Sequence, residues 1–167
     1  MPFQRFVDGR TLVPPVWWSV GSVGTRRRRK PYRIMVWHWS AGSRGVDGIG
    51  IDENLLANRL SIHDVLEKDG RCVFTADPKT TICFHAGIAN TPSRGCEIVG
   101  GPWRDFTPEQ YETIGQLADS LPIPRRIWMP GDKLETFEGH MEHMDVTSKK
   151  PDCHGRVKAF LKKRWSL

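Results

Sequence analysis

Several features that define specialised classes of protein are missing from this 167-residue sequence. No apolar run approaches the roughly 18 residues of a membrane-spanning helix, and the N-terminal MPFQRFVDGR lacks the apolar core of a signal peptide. The four cysteines (Cys72, Cys83, Cys96 and Cys153) are too few and too irregularly spaced for a disulfide framework. We therefore expect a protein made in the cytoplasm without a signal peptide, with free thiols that serve in packing or metal binding.

The composition is that of an ordinary globular protein, with 38% hydrophobic and 26% charged residues. A domain of this length buries roughly 70% of the surface of its unfolded chain and needs no cross-links to fold. The formal net charge of +6 favours an anionic partner. Charge alone does not choose between nucleic acid, a membrane surface and an acidic wall polymer.

Residues 1–30 show no clear period and are rich in proline and tryptophan, so they are predicted to form an irregular N-terminal arm. The arm ends in the run TRRRRK, which contains five consecutive cations. Such a run is typical either of a patch that binds a polyanion or of a solvated loop. Without interleaved aromatic residues, we favour the solvated loop.

Residues 31–167 alternate between predicted strands and helices. Strands are predicted at YRIMVWHWS (32–40), in a hairpin that turns at 68–70, at TICFHAG, at GCEIVGG and at RRIWM. Helices are predicted around 52–60, from a capping box at Thr107–Gln110 to about Leu121, and over GRVKAFLKKRW. This order predicts a single α/β domain with a mixed central β-sheet flanked by helices.

The segment EGHMEHMDVTSKKPDCHG, residues 138–155, concentrates three of the six histidines and one of the four cysteines. Catalytic zinc sites use three ligands drawn from imidazole, thiolate and carboxylate, and they leave the fourth position for water. A further histidine, His38, falls at the end of the first predicted strand. Histidines on surface loops also cluster by chance, so the segment alone is a moderate indication of a metal site.

The order of the motifs is more specific. VWHWSAG, HDVLEKDGRCVF, FHAGIAN, GCEIVGG and GHMEHMDVTSKKPDCHG follow one another as in the zinc-dependent N-acetylmuramoyl-L-alanine amidases, which this chain resembles from Ile34 to Phe160. That family includes phage endolysins and shares the fold of peptidoglycan-recognition proteins. The resemblance implies a Zn²⁺ enzyme that hydrolyses the amide between N-acetylmuramic acid and L-alanine in bacterial peptidoglycan, with a phage endolysin as the expected role.

The resemblance also implies the roles of individual residues. His38 corresponds to the zinc ligand on the first strand, and Glu97 to the glutamate that positions or deprotonates the attacking water. His85 and Asn90, in FHAGIAN, are expected to line the substrate groove. Lys150 is the expected stabiliser of the oxyanion. A tyrosine found in some phage members before the hairpin histidine is replaced by Ile62, which leaves more of the chemistry to Glu97.

Two ligand assignments stay open between neighbouring residues. The family's second ligand usually follows a glycine, as His140 does, but is itself followed by xDV or xEV, as His143 is. We prefer His143 because it keeps the downstream spacing. The third ligand in the family is Asp or Cys, and both Asp152 and Cys153 are present. We lean to Cys153, because thiolate is the stronger zinc ligand.

The expected partner is the peptidoglycan of the bacterial cell wall, and the chain is expected to act there as a monomer. The basic segments are expected to favour approach to an anionic envelope. Two rival functions remain: a non-catalytic peptidoglycan-binding module of the same fold, and a nucleic-acid-binding protein. The second leaves the zinc ligands without a purpose, so no specific nucleic acid is expected as a partner.

Overall fold

The computed structural model describes residues 6–7, 10–11, 25–40, 55, 57–100, 105–149 and 152–167. Strands within them are β1 (Phe6–Val7), β2 (Arg10–Thr11), β3 (Thr25–Arg27), β4 (Ile34–Trp39), β5 (Asp64–Leu66), β6 (Cys72–Phe74), β7 (Thr81–Cys83), β8 (Ser93–Ile98) and β9 (Gly139–Glu142). Helices are α1 (Pro108–Ser120), α2 (His143–Val146) and α3 (Arg156–Trp165), with 3₁₀ turns at Gly87–Ala89 and Asp152–Gly155. None of these helices is long and apolar enough to cross a bilayer.

A five-stranded sheet in the order β6-β5-β8-β4-β9 forms the centre of the domain. The pairs β5–β8, β8–β4 and β4–β9 are parallel, and β6 joins β5 as an antiparallel edge. Because the parallel strands share a direction, their carboxyl ends lie along one edge of the sheet. Ligand sites of such sheets are usually found outside that edge.

The side chains of the central strand β4 alternate between two apolar layers. Ile34 and Val36 pack with Phe137 and Met141 on one side, which we call the histidine face because His38 has the same parity. Met35, Trp37 and Trp39 point to the opposite side, the helix face. All six residues of β4 are buried, as expected for a strand covered on both faces.

Helices α1 and α3 cover the helix face. They bury Ile114, Leu117, Ala118, Val157 and Leu161 against it. Helix α1 begins with the predicted capping box. The hydroxyl of Thr107 accepts from the backbone N–H of Gln110, and the side-chain carbonyl of Gln110 accepts from the backbone N–H of Thr107. The predicted hairpin and the C-terminal helix are also present, so the mixed α/β architecture is confirmed.

Three local predictions differ from the structure or lie outside it. The segment RRIWM is not a strand. The N–H group of Arg126 donates to the Pro124 carbonyl, and that of Met129 donates to the Asp132 carboxylate. The segment therefore forms a single β-bridge, between Ile127 and His140. The edge strand beside β4 is instead β9. The arm is not irregular throughout, because β3 pairs antiparallel with β7. Of the helix predicted around 52–60, Leu55 and Ala57 are helical, and residues 52–54 and 56 lie outside the described residues.

Two histidines are buried within this fold. His63 accepts from the Gly95 N–H through Nδ1, and its Nε2 contacts the Thr81 carbonyl. His140, fully buried on the helix face between Trp37 and Trp165, has no hydrogen-bond partner for either ring nitrogen among the described residues. Burial lowers the pKa of each ring to about 3. Both imidazoles are therefore neutral in the folded protein.

These histidines predict loss of stability in acid. The unfolded chain binds protons at these rings below about pH 6.5, whereas the folded chain does so only near pH 3. The free energy of unfolding should therefore fall as the pH drops from 6.5 towards 3, by up to about 1.4 kcal/mol per pH unit for each histidine. Urea unfolding at several pH values should show a shallower fall for His140→Leu. Equal slopes for the wild type and His140→Leu would contradict the prediction.

Candidate active site

Three strand ends bring the candidate catalytic residues to one edge of the histidine face. His38, near the end of β4, is in register with Glu97, near the end of β8. Strand β9 pairs with β4 so that Met141 is opposite Val36, and His143, two residues further, starts α2. Register and alternation together place His38, Glu97 and His143 on the same side of the sheet.

Three imidazole rings meet at this edge. The centroids of the His38 and His143 rings are 4.5 Å apart, and those of His38 and His85 are 5.0 Å apart. His38 Nε2 lies 2.9 Å from His85 Nδ1. His38 is only 3% exposed and Glu97 only 9% exposed, whereas His85 and His143 are half-buried, so His38 and the carboxylate form the dry part of the site.

A chain of hydrogen bonds sets the protonation of these rings. The Ser93 hydroxyl donates to the Ala89 carbonyl at 2.6 Å, so its oxygen can accept from His85 Nε2, which is 3.2 Å away. His85 Nδ1 is then the acceptor, and His38 Nε2 carries the proton between the two rings. Burial lowers the pKa of His85 well below its ordinary value, and the nearby positive charge of Arg28 acts in the same direction. His85 is thus a neutral ring of fixed tautomer.

The loop that carries His85 is held in place by Asn90. The side-chain carbonyl of Asn90 accepts from the backbone N–H groups of His85 and Ala86, at 2.9 Å and 2.6 Å. Asn90 therefore fixes the position of His85 from within the loop. A direct contact between Asn90 and substrate stays a prediction.

The structure separates the two candidates for the second ligand. His143 lies against His38, whereas His140 is in register with Met35 and stacks on Trp37 on the helix face. The two residues are three positions apart, and the alternation of β9 sends them to opposite sides of the sheet. His140 is thus not brought to the His38 site.

The structure places Cys153 among apolar residues of the helix face. It is fully buried in the helix-face core with Trp37, Trp39 and Val157, on a backbone with φ of 64°. The side chain of Asp152, the alternative ligand, and the whole of Lys150 lie outside the described residues. Among the side chains that are described, no three His, Cys, Asp or Glu residues form a group able to hold a metal ion. The site assembled here consists of two candidate ligands, His38 and His143, with Glu97 beside them.

The family model for N-acetylmuramoyl-L-alanine amidase matches residues 28–155, most of the chain. The chain belongs to this family. The predictions of its fold and of peptidoglycan amidase function are thereby confirmed. No curated protein shows a significant match to the sequence.

Solved structures with the same fold are distant in sequence. The Ph2119 endolysin from a Thermus scotoductus bacteriophage is 22% identical, with a TM-score of 0.63 over 86% of this chain and 93% of that one. The endolysin amidase LysCS from Clostridium intestinale is 18% identical, with a TM-score of 0.62 over 85% and 91%. The Drosophila peptidoglycan recognition protein SD is 17% identical, with a TM-score of 0.55 over 79% and 80%. At these identities the likeness shows the fold.

Sequence reasoning missed one residue that organises the amidase site, Glu142. Its fully buried carboxylate accepts from the N–H groups of Gly155, at 2.6 Å, and Lys158, at 3.0 Å. Burial raises the pKa of Glu142, and these two bonds oppose the shift. Glu142 directly precedes His143, so the carboxylate ties this ligand segment to the 152–155 turn. A buried strand that alternates Met141 with the polar residues His140 and Glu142 was the available signal.

The close approach of His85 to β8 requires glycine at position 95. A β-carbon added to Gly95 would lie 2.7 Å from two atoms of the His85 ring and 2.6 Å from Ile62. Gly95→Ala should therefore displace His85 and lower kcat/KM by roughly 100-fold, since misplacement of about 1 Å can cost that much. The measurement is amide hydrolysis on purified peptidoglycan.

Gly100→Ala is the matched control, because the one described residue that a β-carbon there would meet is Phe106, at 3.6 Å or more. This variant should keep its activity. Melting curves separate a local effect on His85 from general unfolding. Wild-type activity in Gly95→Ala would contradict a catalytic role for the position of His85.

Proposed function

We propose that this amidase is zinc-dependent and hydrolyses the amide between the lactyl group of N-acetylmuramic acid and L-alanine, as an endolysin acting on the bacterial cell wall. The observation that carries the proposal is the contact of His38 with His143 beside the buried carboxylate of Glu97. Two adjacent imidazoles and a carboxylate suit metal-assisted hydrolysis of an amide. The fold is also that of structures described as endolysins.

Two of the described residues suit zinc as ligands. His38 and His143 offer two imidazoles on one face, and the hydrogen bond from His38 Nε2 to His85 is the outer support that ligating histidines commonly have. For the third ligand we now prefer Asp152 to Cys153, because the Cys153 side chain is committed to the helix-face core. Zinc bound there would supply Lewis acidity to the substrate carbonyl and to water.

Glu97 is proposed as the general base and acid. Its carboxylate takes a proton from the attacking water and later returns that proton to the leaving amine of L-alanine. The nearly dry setting of Glu97 and His38 strengthens the electrostatic interactions that guide this transfer. His85 stays neutral, and its fixed ring holds His38. Lys150 is proposed to stabilise the charge that develops on the carbonyl oxygen.

Zinc content of single variants tests the ligand assignment. His143→Ala and Asp152→Ala should lose zinc on dialysis, because each removes one ligand. His140→Ala and Cys153→Ala should keep zinc but melt at lower temperature, since both leave a cavity in the helix-face core. Metal analysis beside thermal melting separates the two effects. Loss of zinc from Cys153→Ala, with retention in Asp152→Ala, would reverse the preference for Asp152.

The base is tested with Glu97→Gln. This variant should retain zinc and bind peptidoglycan, while kcat falls by roughly 100- to 10,000-fold, the range for loss of a general base. The assay counts new L-alanine amino termini released from purified walls, with and without a chelator.

The exposed glutamate Glu138 provides the control, and Glu138→Gln should behave as the wild type. Binding of walls by the wild-type protein without any new amino termini would instead favour a non-catalytic recognition module. Full activity in Glu97→Gln would contradict the assignment of Glu97 as the base and would leave the ligand assignment unaffected.

A further inference from the structure

A concave basic surface lies beside the loop that carries His85. It encloses about 620 Å³ and is lined by the five consecutive residues Arg26–Lys30, with Ile82 and Thr91. We call this surface the basic groove. Strand β3 forms part of it and is held by antiparallel pairing with β7.

One of the five cations belongs to the framework of the groove. Arg28 is 5% exposed, and its guanidinium donates to the backbone carbonyls of Thr81, Thr91 and Ser93. Arg26 donates to the Thr91 hydroxyl at 2.6 Å. These bonds fix the extended basic segment against the domain, so the remaining cations are presented from a defined backbone.

Arg27, Arg29 and Lys30 are exposed and have no ion pair with an acidic residue in the described part of the chain. On α3, Lys158 pairs with Asp145 and Arg164 pairs with Asp119, whereas Lys162 and Lys163 have no ion pair among the described residues. In the groove, three positive charges without a described acidic partner lie close together in sequence, and an anionic ligand would relieve the mutual repulsion of these cations.

We propose that the basic groove binds a phosphodiester polymer of the bacterial cell wall. A guanidinium group can donate two parallel hydrogen bonds to two oxygens of one phosphate, and it stays charged at any physiological pH. Alternate residues of an extended chain are about 6.6 Å apart, which suits successive phosphates separated by a short polyol unit. The concave shape accommodates a single thin chain better than a flat lipid surface or a DNA duplex. No aromatic residue is among the described lining residues, so the stacking platform of single-stranded nucleic-acid sites is missing.

The position of the groove relates it to catalysis. Thr91, in its lining, directly follows Asn90, which holds the backbone of His85. A polymer attached to the same wall as the substrate would raise the effective concentration of the cleavable amide at the active site. This role rests on the proposed amidase function, whereas binding of the polymer by itself does not.

The test measures binding of soluble poly(glycerol phosphate) by calorimetry, at several salt concentrations. The triple variant Arg27→Gln/Arg29→Gln/Lys30→Gln should bind at least about tenfold more weakly and with a smaller salt dependence, because fewer counterions are released. The control Lys68→Gln/Lys133→Gln/Lys163→Gln removes the same charge from exposed positions outside the groove and should change affinity less than about twofold. Arg28 is left intact in both, and melting curves confirm folding.

Further arms identify the partner and separate the two proposals. Polyglutamate, single-stranded DNA and phosphatidylglycerol vesicles should bind more weakly than poly(glycerol phosphate), and tighter binding of any of them would overturn the polymer assignment. Equal weakening in the two triple variants would show that only net charge matters and would overturn the groove. The groove variant should cleave a small soluble muramoyl peptide normally and clear polymer-bearing walls more slowly. Failure of the wild type on both substrates would refute the amidase proposal and leave the binding result standing.

Discussion

Parallel pairing of β4 with β8 and β9 is the constraint on which the active site depends. Register decides which residues are neighbours, and alternation decides which face each of them uses. His38 and Glu97 are neighbours because they are in register. His143 joins them because Glu142, the last residue of β9, pairs with Trp37, so that the next residue lies level with His38. A shift of β9 by one residue would send His143 to the helix face and His140 to the histidine face. The fidelity of this register is therefore a condition of catalysis as well as of folding.

Buried polar groups on the helix face hold that register in place. Arg94 on β8 and Asp64 on β5 form an ion pair that is almost wholly buried, and Asp64 raises the pKa of Arg94 although burial opposes it. Removal of one member of such a pair commonly costs about 3–5 kcal/mol, since the other charge is left buried. Glu142 acts similarly at the other edge, where it binds the first turn of α3. The buried polar groups on the helix face thus hold the strands in position, and the candidate catalytic residues lie on the histidine face of the same strands.

The parts of the structure that the sequence could predict were those with a strong local signal. Strand β4 is an apolar run bounded by Pro31, and α1 has a capping box that fixes its first turn. Strand β9 has no such signal, because GHME alternates polar with apolar residues that are buried only by tertiary packing. The choice between Asp152 and Cys153 depends on a backbone with positive φ at Cys153, His154 and Gly155. No spacing rule encodes that turn, so the choice between the two ligands stays a prediction.

The basic run shows how one segment serves both structure and recognition. Arg28 donates to Thr81, before the His85 loop, and to Thr91 and Ser93, after it, so a single guanidinium joins both ends of that loop. Ser93 in turn bonds His85, which contacts His38. Burial of a charged side chain is costly unless it is hydrogen-bonded, and three carbonyls accept from Arg28. Because Arg28 is fixed in this way, its exposed neighbours are positioned by the same framework that positions His85, and binding in the groove and chemistry at the strand ends depend on one loop.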